Sequence, residues 1–456
     1  MEIEHKKVII IGSAASGIGA AKLAVAKKAE VSLYDQKTWE QYGEGEKQSL
    51  EELKNLGVKL LLGIDILGQI SNYQLVVMSP GVPMDLPFVI KAVENKIPVI
   101  GEFEFAFQYC KANVTAITGT NGKTTTTSLV GDIVKAYIPH TYVVGNIGRP
   151  FSEDVLVIKK DHAVIAEVSS FQLESISKFH PVISCVLNIE ADHLNRHKTM
   201  ENYIQTKKRI FENQEADDFV VLNHDDPNCV LMAQEVKAKV IWFSSTQKIV
   251  PGVYLDNGYI IEEILGTPKR ICHKDELQIL GKHNVENALA AVGITRIMDI
   301  PVSVVCNQLK AFKAVAHRIE YMGSKKGIDF FNDSKATNPD AAIKGLLAMN
   351  KKVRLIAGGL DKQIDFDNWT KLFPGIVECV YIIGETKKQL MTTLDQQQFL
   401  DYKAFETFEE AVIQAYEDAK EGECVLLSPG CASWDMFKSY EERGDLFKEI
   451  FQGLKE

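Results

Sequence analysis

Short apolar runs punctuate the chain, each bounded by Gly or a small polar residue and each followed by a stretch whose apolar positions recur at helical spacing. Runs of that kind are buried strands, and their alternation with helices predicts α/β domains on largely parallel sheets. The runs fall into three blocks. In the first, 1–101, strands are expected at 7–11, 30–34, 75–78 and 98–101. The second, 102–314, should hold strands at 114–117, 163–168, 182–187 and 219–222. After them come an antiparallel part over 253–271, where charge alternates with apolarity, and a helix over 284–297. The third block, 315–456, carries runs at 329–331, 353–357, 380–383 and 425–427. The last three end in Gly or in Ser428-Pro429-Gly430, and in open α/β sheets ligands gather at the carboxyl ends of strands.

Bulk composition narrows the function more than the fold. A length of 456 residues suits about three domains at ~150 residues each. The net charge of −10 argues against nucleic acid as a main partner, because binding a phosphate backbone needs a basic face. No apolar run approaches the ~20 residues of a membrane span, so no membrane partner is expected. The first residues lead straight into a strand with no export signal ahead of it, and the eight cysteines contain no Cys-x-x-Cys pair. A cytoplasmic monomer with reduced, mostly buried thiols is expected.

One segment carries chemistry by itself. Ala116-Ile117-Thr118-Gly119-Thr120-Asn121-Gly122-Lys123-Thr124-Thr125 reads as a strand end, a Gly-bracketed turn and a helix start. The two glycines let backbone N–H groups curl round an anion, and the helix points its positive end at the same spot. Lys123 adds a point charge for terminal phosphates, and the Thr124 hydroxyl is placed to ligate Mg²⁺. This is a nucleoside triphosphate cradle. The common loop has four residues between its first Gly and the Gly-Lys pair; here only Thr120 and Asn121 intervene, which points to a particular subset of ATP users.

Gly12-Ser13-Ala14-Ala15-Ser16-Gly17 follows the first strand, with Asp35 closing the second. A dinucleotide fingerprint would have Gly where Ala14 stands, so a nicotinamide cofactor is disfavoured while a nucleotide diphosphate still fits. Asp35 would then lie near its ribose or base; a ligand-free turn is the other reading. Glu167 ends a buried strand across from the phosphate loop, where a further Mg²⁺ ligand is expected, although Glu is also common at strand ends. Asp192-His193-Leu194-Asn195-Arg196-His197 gathers groups suited to metal and phosphate. Lys207-Lys208-Arg209 lies on an amphipathic pattern and reads first as a solvated face. The sharper alternative is a lysine whose pKa is lowered by neighbouring cations, able to form a carbamate with CO₂. Asn284 and Asn287 share one helix face and could read a purine edge, or Asn284 could cap the helix. His317-Arg318 and Asn332-Asp333-Ser334-Lys335-Ala336-Thr337-Asn338 flank a strand and suit an anionic substrate.

Taken in order, these segments resemble the Mur ligases, the ATP-dependent amide-forming enzymes of peptidoglycan assembly. The likeness also takes in Gly145-Asn146-Ile147-Gly148 and Gly281-Lys282-His283-Asn284, and so spans essentially the whole chain. Within the family, the segment 332–338 and Ser428-Pro429-Gly430-Cys431-Ala432-Ser433 resemble the member that adds D-glutamate, with Gly430 standing where Ala is usual. The resemblance implies a Rossmann-like N-terminal domain (1–101) for the UDP-substrate and a central P-loop-type ATP-binding domain (102–314) with a mostly parallel sheet. A C-terminal Rossmann-like, doubly wound domain (315–456) would take the amino acid. It further implies joining D-glutamate to UDP-N-acetylmuramoyl-L-alanine through an acyl phosphate. The alternatives are another amide ligase of the same superfamily, of folylpolyglutamate synthase type among others, or a kinase or nucleoside triphosphatase that would explain the second block alone.

The residue roles implied are these. Gly119, Thr120, Asn121, Gly122, Lys123, Thr124 and Thr125 would hold ATP, with Asn284 and Asn287 at adenine and Arg318 and Asp333 at the ribose or phosphates. Thr124 and Glu167 would hold one Mg²⁺, and His193 with a carbamylated Lys207 a second, which makes Lys123, Glu167, His193 and Lys207 the catalytic group. Ser13, Ala14, Ala15, Ser16, Gly17, Asp35, Gln36, Ser79 and Asn146 would take the uridine diphosphate end. Ser169, Gln172 and Arg196 would surround the muramoyl-alanyl part. Lys335, Thr337, Lys362, Ser433 and Tyr440 would form the D-glutamate pocket.

Overall fold

In the first sheet β1 (Lys7–Ile11), β2 (Glu30–Asp35), β3 (Lys59–Leu62), β4 (Leu75–Met78) and β5 (Val99–Gly101) run parallel in the order β3-β2-β1-β4-β5. The order reverses between β1 and β4, so the loops after those two strands, at Gly12 and Ser79, open a crevice at the carboxyl edge. The computed structural model describes residues 1–264, 266–279, 281–313, 316–361 and 365–455, the side chains of Asn195 and Asp340 excepted.

The central sheet contains β6 (Val114–Thr118), β7 (Thr141–Gly145), β8 (Ala163–Glu167), β9 (Ile183–Val186), β10 (Phe219–Asn223), β11 (Lys239–Ser244), β12 (Gly252–Asp256), β13 (Tyr259–Glu263) and β14 (Lys269–His273). Its order is β14-β13-β12-β11-β10-β9-β6-β8-β7, parallel from β7 as far as β12 and antiparallel through β13 and β14. The antiparallel part lies where alternation of charge and apolarity predicts it. The third sheet, β15 (Glu320–Lys325), β16 (Ile328–Asn332), β17 (Val353–Gly358), β18 (Val377–Ile383), β19 (Tyr402–Ala404) and β20 (Cys424–Leu427), is ordered β15-β16-β20-β17-β18-β19. Among the described residues of this sheet only the β15–β16 strand pairing is antiparallel.

The three sheets group into two compact units, Met1–Glu276 with Val285–Ala311 and Leu277–Asn284 with Phe312–Glu456. In the first unit a continuous apolar cluster runs from Val8, Ile10 and Leu33 to Val114, Ala116 and Val164. The helix Glu102–Phe107 wedges Phe103 and Phe105 into that cluster. Its two carboxylates are buried and put to use. Glu102 accepts from the Ser152 N–H at 2.8 Å, and Glu104 accepts from the N–H groups of Ser177, Lys178 and Phe179, each at 3.0 Å. All eight cysteines are free thiols, six of them buried. Among the described residues no helix is long and apolar enough to cross a membrane.

Candidate active site

The carboxyl end of β6 leads into the turn 119–122, and Gly122 caps the helix Lys123–Lys135 with φ 80°, a left-handed conformation that a side chain would strain. A Cβ there would also sit 2.1 Å from Asn287 Oδ1, so the Asn287 amide packs directly on the loop. Lys123 Nζ donates to the carbonyls of Gly119 at 2.9 Å and Thr120 at 2.8 Å, folding back over the turn. Thr120 is fixed from below, its N–H on Asn188 O and its hydroxyl against Tyr203 OH and Glu190 O.

Lys207 overturns the solvated-face reading of the basic trio. On the helix Met200–Lys208 it is 1% exposed, and its Nζ donates to Gly119 O at 2.9 Å and Thr118 Oγ1 at 3.4 Å. Lys208 is buried too and pairs with Glu235, while Arg209 donates to the carbonyls of Leu173, Glu174 and Ile176. An amphipathic count along one helix cannot register that one of its lysines packs against the turn after β6. Burial, and then the charge of Lys123, hold the Lys207 ammonium well below its ordinary pKa, with Asp192 and Glu167 opposing. A buried, readily neutralised amine beside carboxylates suits carbamate formation.

Glu167 ends β8 almost fully buried; Asn146 Nδ2 donates to its Oε1 at 2.7 Å, and its Oε2 is buried without a partner. An orphaned carboxylate oxygen facing a phosphate loop fits a Mg²⁺ ligand, because that ion takes one or two carboxylates and completes its shell with phosphates and water. Among the described residues no three His, Cys, Asp or Glu gather as a metal cluster. His193 adopts a left-handed conformation, φ 52°, in the turn before the helix Leu194–His197. Its ring packs on Phe171 at 4.8 Å, and its Nε2 lies 3.4 Å from Asp192.

In the crevice of the first sheet, Asp35 is committed to the loop it faces. Its Oδ2 accepts from the Ser13 N–H at 2.9 Å and the Ser13 hydroxyl at 2.6 Å. Tyr42 OH joins Ser13 Oγ at 2.9 Å. Burial raises the Asp35 pKa, but the Lys37 N–H and the two Ser13 contacts outweigh it, so the carboxyl is held below its ordinary range. Tyr42 has no signature in the sequence, since it sits in a short turn after β2. Ser79 Oγ is buried and unpartnered beside Gly12. Arg196 lies 4.2 Å over the Phe171 ring, donates to the Pro80 and Val82 carbonyls, and grips Glu174 at 2.6 Å. Ser169 and Gln172 bond to each other in a capping box.

In the second unit the loops after β16 and β20 meet. Asp333, at the end of β16, is buried and accepts from Ser428 Oγ at 2.8 Å; burial pushes its carboxyl up to about 7 against the pull of Ser428 and Arg318. His317 donates through its N–H to Glu320 and takes its place against Asn332 Nδ2 at 3.1 Å. His283 is lowered to about 4, by burial and then by Arg318 and Lys344. Lys335 Nζ lies 5.6 Å over the Tyr440 ring, and Ser433 Oγ is buried without a partner. Gly430 has φ 65°, and a Cβ there would come within 2.7 Å of the Trp369 ring, which explains glycine at this position. Thr337 closes its turn through an N–H bond to the Lys335 carbonyl. Lys362 lies outside the described residues. The sequence reading missed Arg443, whose guanidinium ties these loops together.

Comparison with known proteins adds three matches to family models. The Mur ligase MurD-like N-terminal domain matches residues 6–101, the Mur ligase middle domain 117–295, and the Mur ligase glutamate ligase domain 317–431. The chain is 45% identical over 457 residues to the UDP-N-acetylmuramoylalanine–D-glutamate ligase of Thermoanaerobacter sp. strain X514, covering 100% of both chains. It is 43% identical over 462 residues to the protein of the same name from Lachnospira eligens, again over 100% of both. Among solved structures, the UDP-N-acetylmuramate-alanine ligase MurC of Thermotoga maritima superposes with TM-score 0.60 at 18% identity, covering 99% of this chain and 100% of that one. The MurF ligase of the same organism, solved in complex with ADP, gives 0.58 at 15% identity, covering 99% and 95%. At these identities the structures speak for the fold.

Proposed function

The chain belongs to the Mur ligase family, and we propose on that footing that it joins D-glutamate to UDP-N-acetylmuramoyl-L-alanine with ATP as the energy source, making a peptidoglycan precursor. The observation that carries this reading is identity near 45% over the full length of relatives bearing that name. The site's chemistry agrees with it. A carboxylate does not accept an amine while hydroxide is its leaving group, so its oxygen must first receive the terminal phosphoryl of ATP, giving an acyl phosphate and ADP. The D-glutamate amine then adds to the acyl carbon, and the tetrahedral adduct expels phosphate to leave the amide. Catalysis of such a transfer is positioning and charge neutralisation.

In this reading Lys123 leaves the loop carbonyls for the transferring phosphoryl, and the loop N–H groups from 119 to 125 hold the chain of phosphates. Asn284 and Asn287 face adenine, and Arg318 and Asp333 take the ribose or phosphates. Thr124 and Glu167 would hold one Mg²⁺, and His193 with Lys207 as its carbamate a second. The ions supply charge neutralisation on the phosphoryl oxygens. Ser13 to Gly17, Asp35, Gln36, Ser79 and Asn146 bind the uridine diphosphate end, with Ser169, Gln172 and Arg196 around the muramoyl-alanyl part. Lys335, Thr337, Lys362, Ser433 and Tyr440 receive D-glutamate. The domain limits 1–101, 102–314 and 315–456, and a cytoplasmic, monomeric enzyme, belong to the same proposal.

The test is phosphate release with ATP, Mg²⁺ and UDP-N-acetylmuramoyl-L-alanine, comparing D-Glu with L-Glu, L-Lys and L-Ala. Release that depends on D-Glu alone is expected. Release indifferent to the amino acid would leave a nucleoside triphosphatase; release with a different amino acid would leave another ligase of the family.

A further inference from the structure

Arg443 stands in the first turn of the helix Tyr440–Gly453 and is 1% exposed. Its Nε donates to Ser334 Oγ at 3.0 Å and its Nη2 to the Ser334 carbonyl at 2.8 Å. Nη1 and Nη2 both reach the Cys431 carbonyl at 3.2 Å. Every acceptor is neutral. Among the described residues no carboxylate comes within ion-pair distance, and Asp333 and Asp435 act on it only through space. A buried cation without a counter-ion is costly, and the positive end of a helix makes it more so. Burial lowers the guanidinium to about 10, which leaves it charged at neutral pH.

The three segments it joins are those that carry the candidate amino-acid pocket. Ser334 precedes Lys335 and donates through its hydroxyl to the Tyr440 carbonyl at 2.8 Å. Cys431 lies two residues before Ser433, whose hydroxyl is buried and unpartnered. An uncompensated positive charge, an idle hydroxyl and the Lys335 ammonium therefore meet around one set of loops that an anion would complete.

We propose that Arg443 is a positioning residue for the amino-acid substrate: its charge, paired with no carboxylate among the described residues, draws a carboxylate of D-glutamate to Ser433 and Lys335 while its fork holds their loops in register. The inference rests on the reading that this unit takes D-glutamate. Its test compares Arg443→Gln, Arg443→Lys and the natural protein in steady state, with acyl phosphate trapped separately by hydroxylamine in the absence of D-glutamate.

The Gln variant is expected to raise KM for D-glutamate tenfold or more, with KM for ATP within about twofold and hydroxylamine trapping unchanged; the Lys variant should recover most of the loss. Equal losses in Lys and Gln, or an unchanged KM beside a lowered unfolding temperature, would reduce Arg443 to a clamp and overturn the proposal. Should the Gln variant not fold, the Lys variant decides: KM within about threefold supports the role of charge, and a tenfold rise refutes it. If the natural protein traps no acyl phosphate at all, the functional reading itself fails, and that result is separable from any behaviour of Arg443.

Discussion

Lys123 and Lys207 both donate to one oxygen, the carbonyl of Gly119, each at 2.9 Å. Burial first, and then repulsion between the two ammonium groups, lowers the Lys207 pKa. Lys123 also donates to the Thr120 carbonyl, at 2.8 Å. With the Thr120 hydroxyl on Tyr203 OH, the shared carbonyl ties the turn 119–122 to the helix Met200–Lys208.

Lys207 is therefore expected to be bad for stability and indispensable for ligation. Its folded pKa lies below the unfolded 10.5, so the unfolded chain holds more protons and stability rises with pH towards that value. Lys207→Met should raise the unfolding temperature at neutral pH, by the equivalent of ~1–4 kcal/mol, and flatten its alkaline rise. Calorimetry across pH 7–10 checks this. In the phosphate-release assay Lys207→Ala should be inactive and partly restored by short carboxylic acids; full activity of that variant would dismiss the carbamate.

Glu167→Gln should leave the fold intact, since Asn146 can still bond the remaining oxygen, while the orphaned Oε2 becomes an amide that binds Mg²⁺ poorly. We expect the Mg²⁺ concentration for half-maximal rate to rise at least tenfold. An unchanged Mg²⁺ titration would remove Glu167 from the metal site.

Gly122→Ala meets two obstacles, φ 80° and the Asn287 amide at 2.1 Å. The strain alone is worth ~1–2 kcal/mol, and KM for ATP should rise tenfold or more. Because the same amide is involved, Asn287→Ala should relieve part of the clash: the double variant should lose less than the sum of the singles. Strict additivity would argue that the two do not touch.

For Asp333 the sign of the pH effect is opposite to that of an ordinary salt-bridged carboxylate. Its folded pKa, about 7, lies above the unfolded 3.8, so the fold favours the protonated form. The stabilisation is complete below 3.8 and disappears as pH rises through about 7. Asp333→Asn should thus grow more stable relative to the natural protein between pH 4 and 8, by roughly 3–4 kcal/mol. Urea titrations at the two ends measure the gap.

Much of the fold was legible because the central strands are buried on both faces: β1, β4, β6, β8, β9 and β20 are apolar runs that no helix pattern competes with. The strands that escaped the sequence reading, β3, β7, β11, β15 and β19, lack the unbroken buried run of the central strands, and all but β11 lie at sheet edges. The turn 119–122 stood out in the sequence because its glycines, lysine and hydroxyls are consecutive, and the structure places it between β6 and the helix Lys123–Lys135. Lys207 was legible as a candidate but not its burial, which depends on a loop 88 positions earlier. Arg443 had no local sign at all: beside Glu441 and Glu442 it looks like one charge on a solvated face, and its acceptors lie 12 and 109 positions away.

The carboxylates of Glu102 and Glu104 bear on how such enzymes can be taken apart. They stand just after the last strand of the first sheet, yet their hydrogen bonds terminate backbone donors of the central domain. An engineer who cut the gene after Gly101, to graft the leading module onto another ligase, would strand Phe103 and Phe105 without their neighbours. The transplant would have to carry the segment through Phe107 and recreate its acceptors' partners in the host, so exchange of parts within this architecture is confined to donors that share that joint.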